Sequence, residues 1–321
     1  MIICIGESLI DFVPGPTSEL PAVVASSAGD VSPLPPYRPV AGGSPFNCAI
    51  AAARLGATVG FAGTVATDFF GDQIVRVLEA NGVELSMVTR VDNPTTLAFV
   101  RKDPHGAARY AFYTNDAADR ALTREDLPAE LPSGALLQMG SISIIADPEG
   151  STILDLAERE HGRRVIVFDP NIRESLIADS ADYRDRLKRA LRVATILKTS
   201  DEDLRWIFPD TSTEVAVGKA LEAGVSLVVL TKGAEGSGAY TARSSVEVAA
   251  ERVDVSDTIG AGDSFMAALL TWVDERGANT VDAVATLSTE ELRDALVFAS
   301  RVAGITCTRV GADPPRRDEL R

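Results

Sequence analysis

Asp257-Thr-Ile-Gly-Ala-Gly-Asp-Ser-Phe265 sets three small residues, Gly260, Ala261 and Gly262, against an apolar stretch that runs from 264 to 273. The pattern predicts a helix over 261–276. Small residues at a helix start leave backbone N–H groups open to an anion, and the helix dipole adds positive potential there. Asp263 falls in the first turn, beside that cradle. Moving a phosphoryl group to an alcohol requires neutralised phosphoryl oxygens and a base for the hydroxyl proton. This one segment can supply both. Taken alone, an acidic residue capping an ordinary helix explains it as well.

Working outward, the chain predicts a βα alternation. Strand 2–5 ends at Gly6, and 8–13 continues as a strand or extended loop. Ser44 as N-cap, with Pro45 at the first helical position, opens an Ala-rich helix over 46–55 that Gly56 ends. Strand 58–63, helix 68–81 and strand 83–88 follow, a βαβαβ run that argues for a parallel sheet. Strands 95–101 and 109–114, joined by Asp103-Pro-His-Gly106, then form a hairpin that breaks the rhythm. It resumes with strand 135–139, helix 149–161, strand 165–168, helix 183–193, strand 195–198, helix 213–223 and strand 227–231. A late antiparallel hairpin, 239–241 with 246–249, and helices 261–276 and 289–306 close the chain. The expectation is one doubly wound α/β domain over 1–321, its mainly parallel sheet covered by helices on both faces. A small β-sheet lid is built from two inserted segments, about 9–40 and 93–115. The stretch 14–39, rich in Pro, Ser, Ala and Gly, reads as a surface excursion.

Composition narrows the partners. The 321 residues are 45% hydrophobic and carry a net charge of −15. Such a surface repels nucleic acid and anionic membrane, so neither is expected as a partner. Cys4, Cys48 and Cys307 lie far apart in apolar or small-residue runs and read as buried free thiols. Two histidines, His105 and His161, with no Cys pairs, argue against a His/Cys transition-metal site. The first residues, Met1-Ile-Ile-Cys-Ile-Gly-Glu7, read as a strand rather than a signal peptide, and no apolar run reaches membrane-spanning length. A cytoplasmic location is the expectation.

The nine-residue string resembles the second signature of the ribokinase-like (PfkB) family of sugar kinases, D-T-x-G-A-G-D-x-F, at every fixed position. The resemblance implies Asp263 as catalytic base, in contact with the sugar, and the amides of Gly260, Ala261 and Gly262 as the anion hole. No G-x-x-x-x-G-K-[ST] loop occurs to cradle phosphate instead. Gly42-Gly-Ser-Pro-Phe-Asn47, with Arg54-Leu-Gly56 after it, resembles the first signature and implies that Gly42, Gly43 and Asn47 face the sugar. Asp11 matches the family's early aspartate, which accepts from two sugar hydroxyls. Asp169-Pro-Asn-Ile-Arg173 resembles D-x-N-x-R, which makes Arg173 a contact for substrate or phosphate. A glycine turn, a solvated loop carboxylate and an Asp-Pro-Asn turn are the plain structural alternatives.

For the nucleotide, the resemblance implies Lys198, Ser200, Thr231, Gly233, Gly236, Gly262 and Ser300. Lys198-Thr-Ser-Asp-Glu-Asp203 stands in place of the family's N-x-x-E, with Ser200 for Asn and Asp203 for Glu, and a helix N-cap with an acidic first turn explains it equally. Thr231-Lys-Gly-Ala-Glu-Gly236 looks like the family's T-x-G-x-x-G loop. The implied cofactors are ATP and Mg2+. K+ at Asp257, Ile259, Arg309 and Gly311 matches a cation site of several members, and paired lid strands imply a homodimer. Ser44-Pro45-Phe46 after the paired glycines, where ribokinases carry Lys, is more similar to fructokinases and 2-keto-3-deoxygluconate kinases, and the lid stretch 96–100 with 106–113 is similar to fructokinases. The implied reaction is transfer of the γ-phosphoryl of MgATP to D-fructose, giving fructose 6-phosphate. The alternatives are a 2-keto-3-deoxygluconate kinase, with Arg101 or Arg173 meeting the acid, another sugar or nucleoside kinase of the family, or a sensor that has lost catalysis.

Overall fold

The computed structural model describes residues 1–15, 36–102 and 108–320. Two sheets organise them. The larger has nine strands: β1 (Ile2–Ile5), β4 (Val59–Ala66), β5 (Glu84–Val91), β8 (Leu136–Gly140), β9 (Ile166–Asp169), β10 (Ile196–Ser200), β11 (Leu227–Thr231), β12 (Ser237–Tyr240) and β13 (Ser245–Val248). Their spatial order is β13-β12-β11-β10-β9-β8-β1-β4-β5. All neighbours from β11 to β5 pair in parallel, and β12 and β13 are an antiparallel extension. The smaller sheet, order β3-β2-β6-β7, combines β2 (Leu9–Pro14), β3 (Tyr37–Gly42), β6 (Leu97–Lys102) and β7 (Ala108–Tyr113). It is mixed, since β2 and β6 run parallel while its outer pairs are antiparallel.

Period-two alternation in the buried strands explains the layers. Ile2, Cys4, Val167, Ile196 and Val229 face a core built with α1 (Ser44–Arg54), α2 (Phe69–Ala80), α7 (Ala261–Glu275), α8 (Val281–Ala285) and α9 (Thr289–Cys307). Ile3, Ile5, Ile166, Phe168, Leu197 and Val228 face the opposite core, with α3 (Glu149–Glu160), α4 (Ser180–Val193), α5 (Asp201–Ile207) and α6 (Thr213–Glu222). Helix starts follow capping chemistry: Asp68, Asp179, Ser212 and Ser288 each accept from a first-turn amide. Ser288 and Glu291 close a capping box.

Several expectations need correction. α1 is capped by Gly43, at φ 111°, so Ser44 is the first helical residue and its hydroxyl does not cap. α7 begins at Ala261, as expected, and Gly260 precedes it in a left-handed conformation at φ 76°. Strands β4 and β5 extend three residues beyond the expected ends, and α4 begins three residues earlier. α8 was not expected, and α5 bears out the helix N-cap with an acidic first turn that stood as the alternative at 200–203. Cys4 and Cys48 are buried free thiols, whereas Cys307 is only half-buried. The expected turn at 103–106 and most of the excursion at 14–39 lie outside the described residues. No helix among the described residues is long and apolar enough to cross a membrane.

Candidate active site

The parallel strands end on one edge of the large sheet, where ligands of open α/β folds bind. There a cavity of about 230 Å³ opens beneath the small sheet. Asp11, Gly43, Asn47, Arg173, Gly260, Gly262 and Asp263 all line it. They arrive from four separate parts of the chain.

Asp263, in the first turn of α7, is buried. Ser44 Oγ donates to its Oδ1 at 2.7 Å, and Asn47 Nδ2 donates to its Oδ2 at 2.8 Å. Burial raises its pKa, opposed by these two donors and by the charges of Lys198 and Arg173. Each carboxylate oxygen has a second lone pair, so a substrate hydroxyl can still reach it. Beside it, the first amides of α7 have no intrahelical acceptor. Ser264 is the first residue to close an i to i−4 bond, to Gly260 O at 2.9 Å, while Ala261 N reaches Thr258 O at 3.3 Å. The Ala261 amide therefore has a partner, and an arriving phosphoryl group would have to displace that long bond. A Cβ at Gly262 would lie 3.2 Å from Lys198 Nζ, so the cradle has an ammonium against it. Lys198 Nζ pairs with Asp169 Oδ2 at 2.7 Å, both buried.

Asp11, on β2, approaches from the small sheet. Burial and the nearby Asp263 charge push its pKa up to about 7, against the pull of Arg173. Gly42 stands opposite Leu9 in the β2–β3 ladder, and a Cβ there would lie 2.3 Å from Asp11 Oδ2. The paired glycines thus allow the carboxylate to lie flat on the backbone. Arg173 Nη1 donates to Asn171 O and Ile172 O at 3.2 and 3.1 Å, and its guanidinium lies 5.7 Å from the centre of the Tyr110 ring. The small sheet therefore closes the cavity with Tyr110 and Phe112, two aromatic residues of β7.

Of the remaining residues named from the sequence, Ile259 also lines this cavity and the others lie outside it. Ser200 Oγ accepts from Asp203 N at 3.0 Å and so caps α5, and Asp203 Oδ1 accepts from Ile172 N at 3.0 Å. Asp203, held in the first turn of α5, thus braces the loop carrying Arg173. Thr231 ends β11, Gly233 (φ 54°) and Gly236 (φ 110°) shape the turn after it, and Ser300 Oγ on α9 lies 3.5 Å from Ser237 Oγ. Asp257 Oδ2 accepts from Gly311 N at 3.1 Å and its Oδ1 from Ile259 N at 3.3 Å, so these two loops converge. Arg309 turns its side chain to Glu319 instead. Among the described residues, no group of three or more His, Cys, Asp or Glu side chains is arranged to hold a metal ion.

Glu7 went unnoticed in the sequence. It lines the cavity, is 1% exposed, and has its pKa pushed up to about 7 by burial. Its Oε1 accepts from Ser44 N at 3.0 Å, and its Oε2 accepts from Ser143 Oγ. Ser141 and Ile142, just after β8, also line the cavity. The available signal was positional: all three follow the C-terminal ends of buried parallel strands.

A carboxylate beside an amide cradle, facing a second carboxylate across a small cavity, defines an enzyme that moves a phosphoryl group to an alcohol. The chain belongs to the pfkB family of carbohydrate kinases, whose model matches residues 1–319. It is 39% identical over 294 residues to a fructokinase of Rhizobium leguminosarum bv. trifolii, covering 92% of this chain and 86% of that protein. Among solved structures it resembles fructokinase from Xylella fastidiosa with bound ATP, with a TM-score of 0.88 and 27% identity over 99% of this chain and 96% of that one. Fructokinase from Vibrio cholerae O395, bound to fructose, ADP and calcium, gives a TM-score of 0.84 at 26% identity, covering 99% and 97%.

Proposed function

We propose that this kinase transfers the γ-phosphoryl of ATP to the 6-hydroxyl of D-fructose, with Asp263 as general base. The observation that carries the reading is the meeting of Asp263, Asn47, Asp11 and the Gly260–Gly262 turn on one cavity. The named relatives support fructose as acceptor and ATP as donor. In this mechanism Asp11, Gly42, Gly43 and Asn47 hold the sugar and aim its terminal hydroxyl at the γ-phosphorus. Asp263 takes the hydroxyl proton as the new O–P bond forms and the bond to the β-phosphate oxygen breaks. The α7 amides, with Lys198 behind Gly262, stabilise charge on the moving phosphoryl oxygens. The nucleotide runs from there along Thr231, Gly233 and Gly236 towards Ser300.

Among the described residues no cluster of carboxylates stands ready for magnesium, and Asp203 Oδ1 already accepts from Ile172 N. A magnesium ion bound with the nucleotide would offset the charge of its phosphates. Convergence of Asp257, Ile259 and Gly311 supports a monovalent-cation site built from backbone carbonyls there, with Arg309 contributing only its carbonyl. The whole chain works as one unit in the cytoplasm, with the small sheet as a lid that excludes water. Phe12, Phe99, Tyr37 and Tyr113 cluster on the lid face away from Asp11, which supports pairing of two lids in a homodimer.

Arg173 in the cavity favours a second reading, an acidic keto sugar such as 2-keto-3-deoxygluconate. A coupled ADP-release assay across a sugar panel separates the two. Fructose should dominate; preference for the keto acid would replace it, and ATP binding without turnover on any sugar would leave a sensor. Asp263→Asn should keep the fold and ATP binding but lose on the order of 10²–10⁴ in kcat. Near-normal turnover in that variant removes the base assignment.

A further inference from the structure

Gly43 takes the cap position of α1, and this shift frees the Ser44 hydroxyl for other work. That hydroxyl is spent on Asp263 Oδ1 at 2.7 Å. Ser44 is itself clamped: its N–H donates to Glu7 Oε1 at 3.0 Å, and Glu7 is held from its other side by Ser143. Asn47, one turn along the same face of α1, takes Oδ2. Two side chains of one helix turn therefore grip both oxygens of the carboxylate, and Glu7 fixes the end of that helix.

We propose that Ser44 is a positioning residue for phosphoryl transfer, whose hydroxyl orients the Asp263 carboxylate and holds it in the ionised, proton-accepting form. The inference rests on Asp263 being the base. A hydroxyl donor favours the charged form of a buried carboxylate, as Asn47 does. The other titratable groups facing this site are Glu7 from the turn after β1, Asp11 from β2, Tyr110 from β7, Asp169 from β9, Arg173 from the following loop, Lys198 from β10 and Cys48 from α1. The Ser44 hydroxyl is spent on Asp263, and Glu7 is held through the Ser44 backbone N–H, which the replacement keeps, so a change in Asp263 titration on that replacement belongs to the hydroxyl.

The test measures kcat against pH at saturating sugar, where Asp11 has its hydroxyl partners, for Ser44→Ala and Ser44→Thr. Loss of one hydrogen bond to a charged group should move the acidic limb of the Ala variant up by roughly one pH unit. Its deficit should be about tenfold below the limb and small above it. Ser44→Thr, which keeps the hydroxyl, should restore the limb. In an Asp263→Asn background, Ser44→Ala should change the residual rate by less than about twofold, because its effect passes through the carboxylate. An unshifted limb in Ser44→Ala, or an undiminished loss in the Asp263→Asn background, overturns the proposal while leaving the base in place. Near-normal turnover of Asp263→Asn alone overturns both.

Discussion

Glu7→Gln should make the folded protein less sensitive to rising pH. Glu7 is 1% exposed, and burial lifts its pKa from the ordinary 4.5 to about 7. The sign follows from where the proton sits. Below about pH 4.5 both the folded and unfolded chains are protonated at this position, and burial costs no charge. Between there and pH 7 folding must take up a proton, at about 1.36 kcal/mol for each pH unit. By pH 8 roughly 3 kcal/mol has been lost. Glutamine keeps an oxygen for Ser44 N and offers an amide to Ser143, so it retains the contacts without the titration. Thermal melts by circular dichroism, from pH 5 to pH 8.5, would show the gap between variant and parent. For 321 residues that gap should widen by about 4 °C in the variant's favour as pH rises. Asp11 and Asp119, whose pKa values burial also raises, tilt both curves alike and drop out of the difference, while Glu149, raised by burial and in part by the Glu7 charge, adds to the gap in the same direction. A gap that stays flat over this range would refute the claim that Glu7 is desolvated against Ser44 and Ser143.

Two further outcomes follow from close approaches. Gly42→Ala puts a Cβ 2.3 Å from Asp11 Oδ2, so the carboxylate must swing off the sugar. Steady-state kinetics should show kcat/KM for the sugar down roughly ten- to hundredfold, the worth of one charged hydrogen bond, with KM for ATP little changed. Lys198→Met leaves Asp169 buried without its 2.7 Å partner, which should cost about 3–5 kcal/mol. The loss should shrink towards acid pH, where the folded state can hold Asp169 protonated, and melts at pH 5 and pH 8 would show whether it does.

How far the sequence spoke depended on whether a feature was local. The βα order was legible because buried strands such as 227–231 are unbroken apolar runs between amphipathic helices, and β11 has the bounds expected of it. α5 was legible only as a capped start with an acidic first turn, because seven residues are too few to show a helical period. The Ser44 cap slipped by one residue because the preference of Ser for that position is overridden by Gly43, the residue that can hold φ 111°. Glu7 had no local signal at all. Its meaning comes from Ser143, 136 positions away, and from Ser44, 37 positions away, meeting at the ends of neighbouring parallel strands.

The placement of charge bears on the acceptor. The sugar end of the cavity carries Glu7, Asp11 and Asp263, with Arg173 as the cation among its lining residues. The phosphate end is lined by amides with Lys198 at their back, that lysine already balanced by Asp169. A neutral polyol suits the first environment: its hydroxyls donate to carboxylates, and each donor offsets the burial and the Asp263 charge that lift Asp11 to about 7. An anionic sugar would add a fourth negative group and must draw Arg173 away from Asn171 O and Ile172 O and from the Tyr110 ring. That rearrangement sets a cost which fructose does not meet. On the proposed reading, the same acids that disfavour a second anion favour an uncharged, hydroxyl-rich acceptor, and the triphosphate would go to the start of α7, where backbone N–H groups rather than carboxylates are offered.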